Sequence, residues 1–268
     1  MDIEEKNAKR DSRLRKVLNA SVPLFTKGII ARSPVILTIL SLLFMFYAVS
    51  FGRPEELPYG KFYAGGPRGK KQFALTYDDG PGPSTPALLK VLKDAGTAAS
   101  FFMNGSSVRN FPKNVAETAA AGHLIGNHTD THINWYKCEA DDKAKLLEKE
   151  IMAAETEIAK ATGVKTIFLR MPNGFVRDWV RGVAKKGGYI LVNWTYGADW
   201  SALSKEDMLK GYLKNLRPGS ILLLHDGGKK DRKTTIWLTG KILEEARKKG
   251  LSPVRIDTLL GIGGIPPE

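Results

Sequence analysis

Two kinds of apolar pattern divide the chain. Residues 33–51, "SPVILTILSLLFMFYAVSF", form one apolar run without a charge. From Lys71 onward, short apolar runs alternate with amphipathic stretches. The short runs at 71–77, 98–104, 123–127, 166–170, 189–194, 220–225 and 253–257 predict strands. The stretches near 84–95, 106–121, 141–161, 175–186, 204–216 and 233–249 predict helices. Strict alternation of strand and helix predicts parallel βαβ units, and about seven repeats predict an α/β domain built as a barrel or a doubly wound sheet. In either architecture ligands meet the C-terminal ends of the strands.

The run at 33–51 needs a separate explanation. At about 1.5 Å per residue it just crosses a hydrocarbon core of about 30 Å, and it lacks the polar stripe of a buried core helix. A transmembrane anchor is therefore expected. Lys6, Lys9, Arg10, Arg13, Arg15, Lys16, Lys27 and Arg32 crowd its N-terminal side, whereas Arg53, Glu55 and Glu56 nearly balance on the other. That asymmetry makes residues 1–32 a cytoplasmic tail and puts everything after residue 52 outside the cytoplasm. A secretory signal cut after the small residues Ala48 and Ser50 is the alternative, and both readings export the remainder. Residues 52–70, rich in Gly and Pro, are expected to form a tether, which leaves 71–268 as the exported domain.

Composition narrows the picture further. A chain of 268 residues, 43% hydrophobic, supports one main domain and excludes collagen-like, mucin-like and disordered classes. Lys+Arg 41 against Asp+Glu 28 gives +13, which draws the protein toward anionic wall polymers or lipid headgroups. No nucleic-acid-binding motif accompanies that charge on a domain expected outside, so nucleic acid is not an expected partner. Cys138 is the only cysteine, which excludes an internal disulfide and a thiolate metal cluster.

Reactive side chains gather at the ends of the predicted strands. Asp78, Asp79 and Gly80 follow the first, His128 and His132 the third, Arg170 closes the fourth, Asp199 follows the fifth and His225 closes the sixth. The spacing of "HTDTH" brings His128 and His132 to one side of a compact turn, as a divalent cation requires; two unrelated surface histidines are the bland alternative. Thr129, where zinc proteases of the HExxH type carry Glu, disfavours that class. A catalytic metal still lacks a third ligand and a general base, and the aspartate doublet can supply both. A plain Asp-Gly turn would explain only one of the two. Arg170 would be costly at an apolar strand end unless it faced a carboxylate, so it is expected to pair with the base. His225 is placed to be a general acid if Asp199 or Asp226 keeps it protonated; a buried, neutral histidine is the alternative.

The segments "TYDDGPGPSTP", "ASFFMNG", "AGHLIGNHTDTH", "RMPNG", "GADW" and "LLLHDGG", in this order, resemble the polysaccharide deacetylases of carbohydrate esterase family four, whose shared module is the NodB homology domain. The likeness spans roughly residues 71–257. It implies a distorted (β/α) barrel and metal-assisted hydrolysis of an N-acetyl group on a glycan. By resemblance Asp78 is the base, Asp79, His128 and His132 hold the metal, usually zinc with cobalt or another divalent ion possible, and Arg170 orients Asp78. His225 is the general acid paired with Asp199, Trp200 and Leu223 line a pocket for the acetyl methyl, and a backbone N–H near Asn173 meets the oxyanion. Two departures stand out: Asn173 occupies a position where the family usually has an aromatic residue, and "GADW" lacks an earlier acidic residue often present. The implied substrate is an N-acetylglucosamine polymer, with peptidoglycan first because the anchor places the domain beside the wall. An O-acetyl esterase on a polymer such as xylan and an inactive glycan-binding module are the alternatives.

Overall fold

The computed structural model describes residues 57–228 and 232–262. The transmembrane span expected at 33–51 lies outside them, and among the described residues no helix is long and apolar enough to cross a membrane. The strands are β1 (Phe62–Tyr63), β2 (Gln72–Gly80), β3 (Ser100–Met103), β4 (Leu124–Asn127), β5 (Phe168–Leu169), β6 (Ile190–Val192), β7 (Tyr196–Gly197), β8 (Ile221–His225) and β9 (Ser252–Pro253). The helices are α1 (Thr85–Asp94), α2 (Gly105–Asn110), α3 (Pro112–Ala120), α4 (Lys143–Thr162), α5 (Asp178–Gly187), α6 (Lys205–Asn215), α7 (Lys233–Lys248) and α8 (Ile256–Leu260).

Eight parallel strands form a half-barrel in the order β1-β6-β5-β4-β3-β2-β8-β7, and β9 pairs with the start of β2. The sheet thus contains more strands than the seven apolar runs, because β1 and β7 are two residues each and too short to leave a period. Part of the expected tether belongs to the fold. Gly60 N–H donates to Tyr189 O at 2.8 Å, Gly66 N–H donates to Gly219 O at 2.8 Å, and β1 pairs with β6. The strand expected at 253–257 stops at Pro253, and α8 begins at Ile256, where Asp257 accepts from the Thr258 N–H at 2.8 Å. The helix expected at 106–121 is broken at Phe111 (φ −134°, ψ 52°), since the following Pro112 disfavours the helical conformation there.

Strand alternation positions the chemistry. Along β2, Phe73, Leu75 and Tyr77 point into the core shared with the helices α1, α6 and α7, each burial contributing about 1.5–3 kcal/mol for a large apolar side chain. Ala74 points the other way, into a second core with Phe102, Phe168, Ile190, Val192 and Ile221. Thr76 and Asp78 follow Ala74 on that inner face, and so do Arg170 after Phe168 and His225 after Ile221. The period of 2 therefore carries Asp78, Arg170 and His225 to one side of the sheet.

Candidate active site

Asp78 is buried and its two oxygens are differently engaged. Oδ1 accepts from Arg170 Nη1 at 2.7 Å, while Oδ2 lies 3.7 Å from His128 Nε2. Arg170, fully buried, makes four hydrogen bonds: Nη1 also donates to Thr76 Oγ1 at 2.9 Å, Nε to Val192 O at 3.0 Å and Nη2 to Asn193 O at 3.1 Å. Its guanidinium sits 4.0 Å over the Phe102 ring. A buried cation with this many fixed partners holds one orientation, and so does the carboxylate it grips.

Asp79, His128 and His132 form a separate trio whose potential ligand atoms all lie within 4.8 Å of one another. Asp79 Oδ1 is 3.6 Å from His128 Nε2 and 3.4 Å from His132 Nε2. His128 Nδ1 lies 2.7 Å from Arg170 O, so Nδ1–H donates to that carbonyl and Nε2 keeps its lone pair. Burial holds the His128 pKa below its ordinary value against the pull of Asp78 and Asp79, which keeps the ring neutral and fit to ligate. Burial pushes Asp79 up, but His128, His132, His225 and Arg232 together outweigh it and its carboxyl lies below its usual value. Asp79 Oδ1 is nevertheless buried without a hydrogen-bond partner among the described residues. An orphaned, ionised oxygen aimed at two imidazole nitrogens fits a divalent cation, because a buried polar atom left without a partner is otherwise costly.

The backbone around this trio is strained. Asp79 (φ 68°), Thr129 (φ 64°), His132 (φ 57°) and Asn173 (φ 55°) are the non-glycine residues with left-handed backbone among the described residues, and all four lie on the segments that carry the site. Such residues cost roughly 1–3 kcal/mol each and persist only where their surroundings over-determine them. Those surroundings are visible. Gly227 packs so closely that a Cβ there would run into the Asp79 carbonyl, and one at Gly80 would run into the Asp226 carboxylate.

On the other side of Asp78 lies a histidine–carboxylate pair. Asp78 and His225 are register partners on the adjacent strands β2 and β8. Asp199 Oδ1 accepts from His225 Nδ1 at 2.8 Å, and its Oδ2 accepts from the His225 N–H at 2.8 Å and from Thr235 Oγ1 at 2.7 Å. The Asp199 side chain is 0% exposed and that of His225 15%, so the carboxylate is sealed while the ring keeps an exposed edge. Burial pulls the His225 pKa down, but the Asp199 hydrogen bond and the charges of Asp199, Asp78 and Asp79 prevail, and it stands above its ordinary value. Asp226, the other candidate partner, accepts instead from Thr85 Oγ1 at 2.6 Å, and burial raises its pKa to about 7.

Trp200 stands edge-on to His225 at 5.2 Å and is 44% exposed. Leu223 lies close by: a Cβ on Gly197 would press on both Trp200 and Leu223. Asn173 is exposed, and its turn joins the site through Asn193, whose Nδ2 donates to Gly174 O at 3.0 Å, and through Trp194, which a Cβ on Gly174 would press upon. The structure thus brings Asp78, Asp79, His128, His132, Arg170, Asp199 and His225 together, sets Trp200 and Leu223 at their edge, and leaves the Asn173 side chain exposed on the turn that follows Arg170.

Several supporting residues escaped the sequence reading. Tyr212 Oη donates to Leu223 O at 2.7 Å and accepts from the Ala198 and Asp199 N–H groups at 3.0 and 3.2 Å, which fixes the loop bearing Asp199. Thr235, from α7, completes the shell of Asp199. Glu150, from α4, holds the loop before His132. Only Glu150 left a signal: it is a charge within the apolar stripe of Leu147, Ile151, Ala154 and Ile158.

Comparison with known proteins places these observations. Residues 65–192 match the family model described as polysaccharide deacetylase. The chain is 36% identical over 212 residues to a peptidoglycan-N-acetylglucosamine deacetylase of Bacillus cereus, covering 78% of this chain and 97% of that protein. It is 32% identical over 176 residues to a chitooligosaccharide deacetylase of Sinorhizobium fredii, covering 65% of this chain and 80% of that one. Among solved structures, the Bc1960 peptidoglycan N-acetylglucosamine deacetylase in complex with 4-naphthalen-1-yl-N-oxidanyl-benzamide superposes with a TM-score of 0.70 at 29% identity, covering 76% of this chain and 94% of that one.

Proposed function

The chain belongs to the polysaccharide deacetylase family, and on that premise we propose that it removes N-acetyl groups from an N-acetylglucosamine-containing glycan, with cell-wall peptidoglycan as the substrate. The observation that carries this reading is the register pairing of Asp78 with His225: a base and an acid on adjacent strands, with the Asp79, His128 and His132 trio beside the base.

A divalent cation held by Asp79, His128 and His132, zinc in this proposal, would supply Lewis acidity toward the acetyl carbonyl and make a water more acidic. Asp78 accepts the proton of the attacking water at Oδ2, since Oδ1 is occupied by Arg170. Arg170 keeps that carboxylate aimed. His225 donates a proton from Nε2 to the departing amine nitrogen, while Asp199 holds Nδ1–H and stabilises the charged ring. Trp200 and Leu223 offer an apolar wall for the acetyl methyl. The backbone at Asn173 is assigned the oxyanion, and its short polar side chain makes that wall of the groove more open than an aromatic would.

The full-length protein in detergent is expected to release acetate from N-acetylglucosamine oligomers and from peptidoglycan, to lose the activity to a chelator and to regain it with zinc. Release from acetylxylan alone would move the reading to ester hydrolysis, and release from none of these would sink it. The charge-free run at 33–51 and its basic flank support a membrane-anchored protein with this domain outside the cytoplasm. Activity that stays in the membrane pellet after an alkaline wash is the check; activity released to the supernatant contradicts anchoring.

Asp199 provides a test by pH. A general acid must be protonated, so the rate should fall as pH rises through the His225 pKa, which Asp199 helps to raise. Asp199→Asn removes the charge, and the alkaline limb of kcat/KM is expected to move to lower pH. A pH profile with an unmoved alkaline limb would exclude this pair as the acid.

A further inference from the structure

The two histidines of the trio are held in different ways. The His128 ring is fixed directly, by the 2.7 Å bond from Nδ1 to Arg170 O, and its backbone carbonyl accepts from Asn104 Nδ2 at 2.8 Å. The His132 ring has no such hydrogen bond among the described residues: its recorded neighbours are Asp79 at 3.4 Å and the edge of the His128 ring at 5.1 Å. Its side chain is also 36% exposed, against 2% for His128. The position of the His132 imidazole is therefore set by its backbone, and that backbone is in the strained left-handed conformation.

A buried carboxylate on a different element helps to hold the backbone there, beside the Gly105 and Ser106 N–H groups, which donate to Thr129 O and Asp130 O at 3.1 Å. Glu150 Oε2 accepts from the Asp130 N–H at 3.1 Å and the Thr131 N–H at 2.8 Å, and Oε1 accepts from Thr131 Oγ1 at 2.9 Å. Three donors on the two residues immediately before His132 converge on this side chain. Asn127 Oδ1 secures the preceding Thr129 N–H at 2.9 Å, and Arg109 pairs with Asp130 at 2.8 Å, so Glu150 is the last clamp before the ligand. Its place is costly, since a carboxylate in the apolar stripe of α4 must be hydrogen-bonded to be tolerated.

We propose that Glu150 is a positioning residue for the metal centre: by clamping residues 130 and 131 it sets where His132 presents Nε2, and so sets the affinity of the trio for its cation. The inference rests on the reading of Asp79, His128 and His132 as metal ligands. Outer-shell partners of this kind are worth about 10–100-fold in metal affinity.

The test measures Zn2+ affinity of the metal-stripped full-length protein by competition with a chromophoric chelator, and the visible spectrum of its Co2+ form, for wild type, His132→Ala, Glu150→Ala, Glu150→Gln and Met152→Ala. Met152 is exposed on the same helix and serves as the control. Glu150→Gln is the conservative variant: its amide oxygen can still accept from both loop N–H groups, with the amide N–H₂ donating to Thr131 Oγ1. Glu150→Ala is expected to bind about 10–100-fold more weakly, with an altered Co2+ spectrum, while Glu150→Gln keeps most of the affinity and Met152→Ala binds like the wild type. Should Glu150→Ala not fold, Thr131→Val removes one of the three bonds and is expected to weaken binding by a smaller factor in the same direction. Wild-type affinity and spectrum in Thr131→Val, and in Glu150→Ala where it folds, would overturn the proposal, leaving the clamp a purely structural one. No difference between wild type and His132→Ala would instead overturn the metal-site reading beneath it, and the two failures are thereby told apart.

Discussion

Asp78→Asn is expected to lower kcat by about 10²–10⁴-fold, the usual contribution of a positioned general base, while leaving Zn2+ affinity close to that of the wild type. The two neighbouring carboxylates predict opposite behaviour. Asp78 gives Oδ1 to Arg170 at 2.7 Å and stands outside the trio, so its amide would still be gripped but could no longer accept a proton. Asp79 has the orphaned oxygen between the two imidazoles, so Asp79→Asn should release the metal and lose activity that excess zinc partly restores. Steady-state kinetics beside a metal-binding titration separates the roles. A variant at Asp78 that sheds zinc as readily as one at Asp79 would mean that both aspartates are ligands and that the base lies elsewhere.

That contrast also marks what the sequence made legible. Buried parallel strands such as β2 and β8 read as apolar runs, and the rule that ligands meet strand ends sorts the reactive residues from the sequence alone. The doublet was conspicuous because one turn needs only one aspartate. Two-residue strands left no period, so β1 was absorbed into an expected tether and β7 into a loop. Left-handed backbone at Asp79 and His132 was invisible as well, because neither residue is glycine and the strain is imposed by distant partners. Tyr212 and Thr235 act through hydroxyls 13 and 36 residues from Asp199 in sequence, and a hydroxyl on a helix carries no pattern that points to its acceptor. The choice between Asp199 and Asp226 was likewise spatial. Asp226 is adjacent to His225 in sequence and Asp199 is 26 residues away, yet Asp199 bonds the ring while Asp226 accepts from Thr85.

Arg170→Met should cost stability as much as activity, with a loss of about 3–5 kcal/mol, because it strands the buried Asp78 carboxylate without its countercharge. Methionine keeps an apolar stem but neither the guanidinium over Phe102 nor any of the four hydrogen bonds that Nε, Nη1 and Nη2 make to Thr76, Asp78, Val192 and Asn193. The His128 bond to the Arg170 carbonyl belongs to the backbone and survives, so zinc affinity is expected to fall less than the rate. For a domain whose whole stability is about 5–15 kcal/mol, such a loss is read easily as an earlier denaturation midpoint. The double variant Asp78→Asn/Arg170→Met distinguishes the causes. Removing both charges relieves the stranded ion, so the double variant is expected to be more stable than the sum of the single losses predicts, by more than about 1 kcal/mol. Additive losses would mean that the arginine contributes through its backbone acceptors alone. A single-variant loss under about 1 kcal/mol, the worth of an exposed pair, would mean that water reaches this pair and that the strand end is far less sealed than its burial indicates.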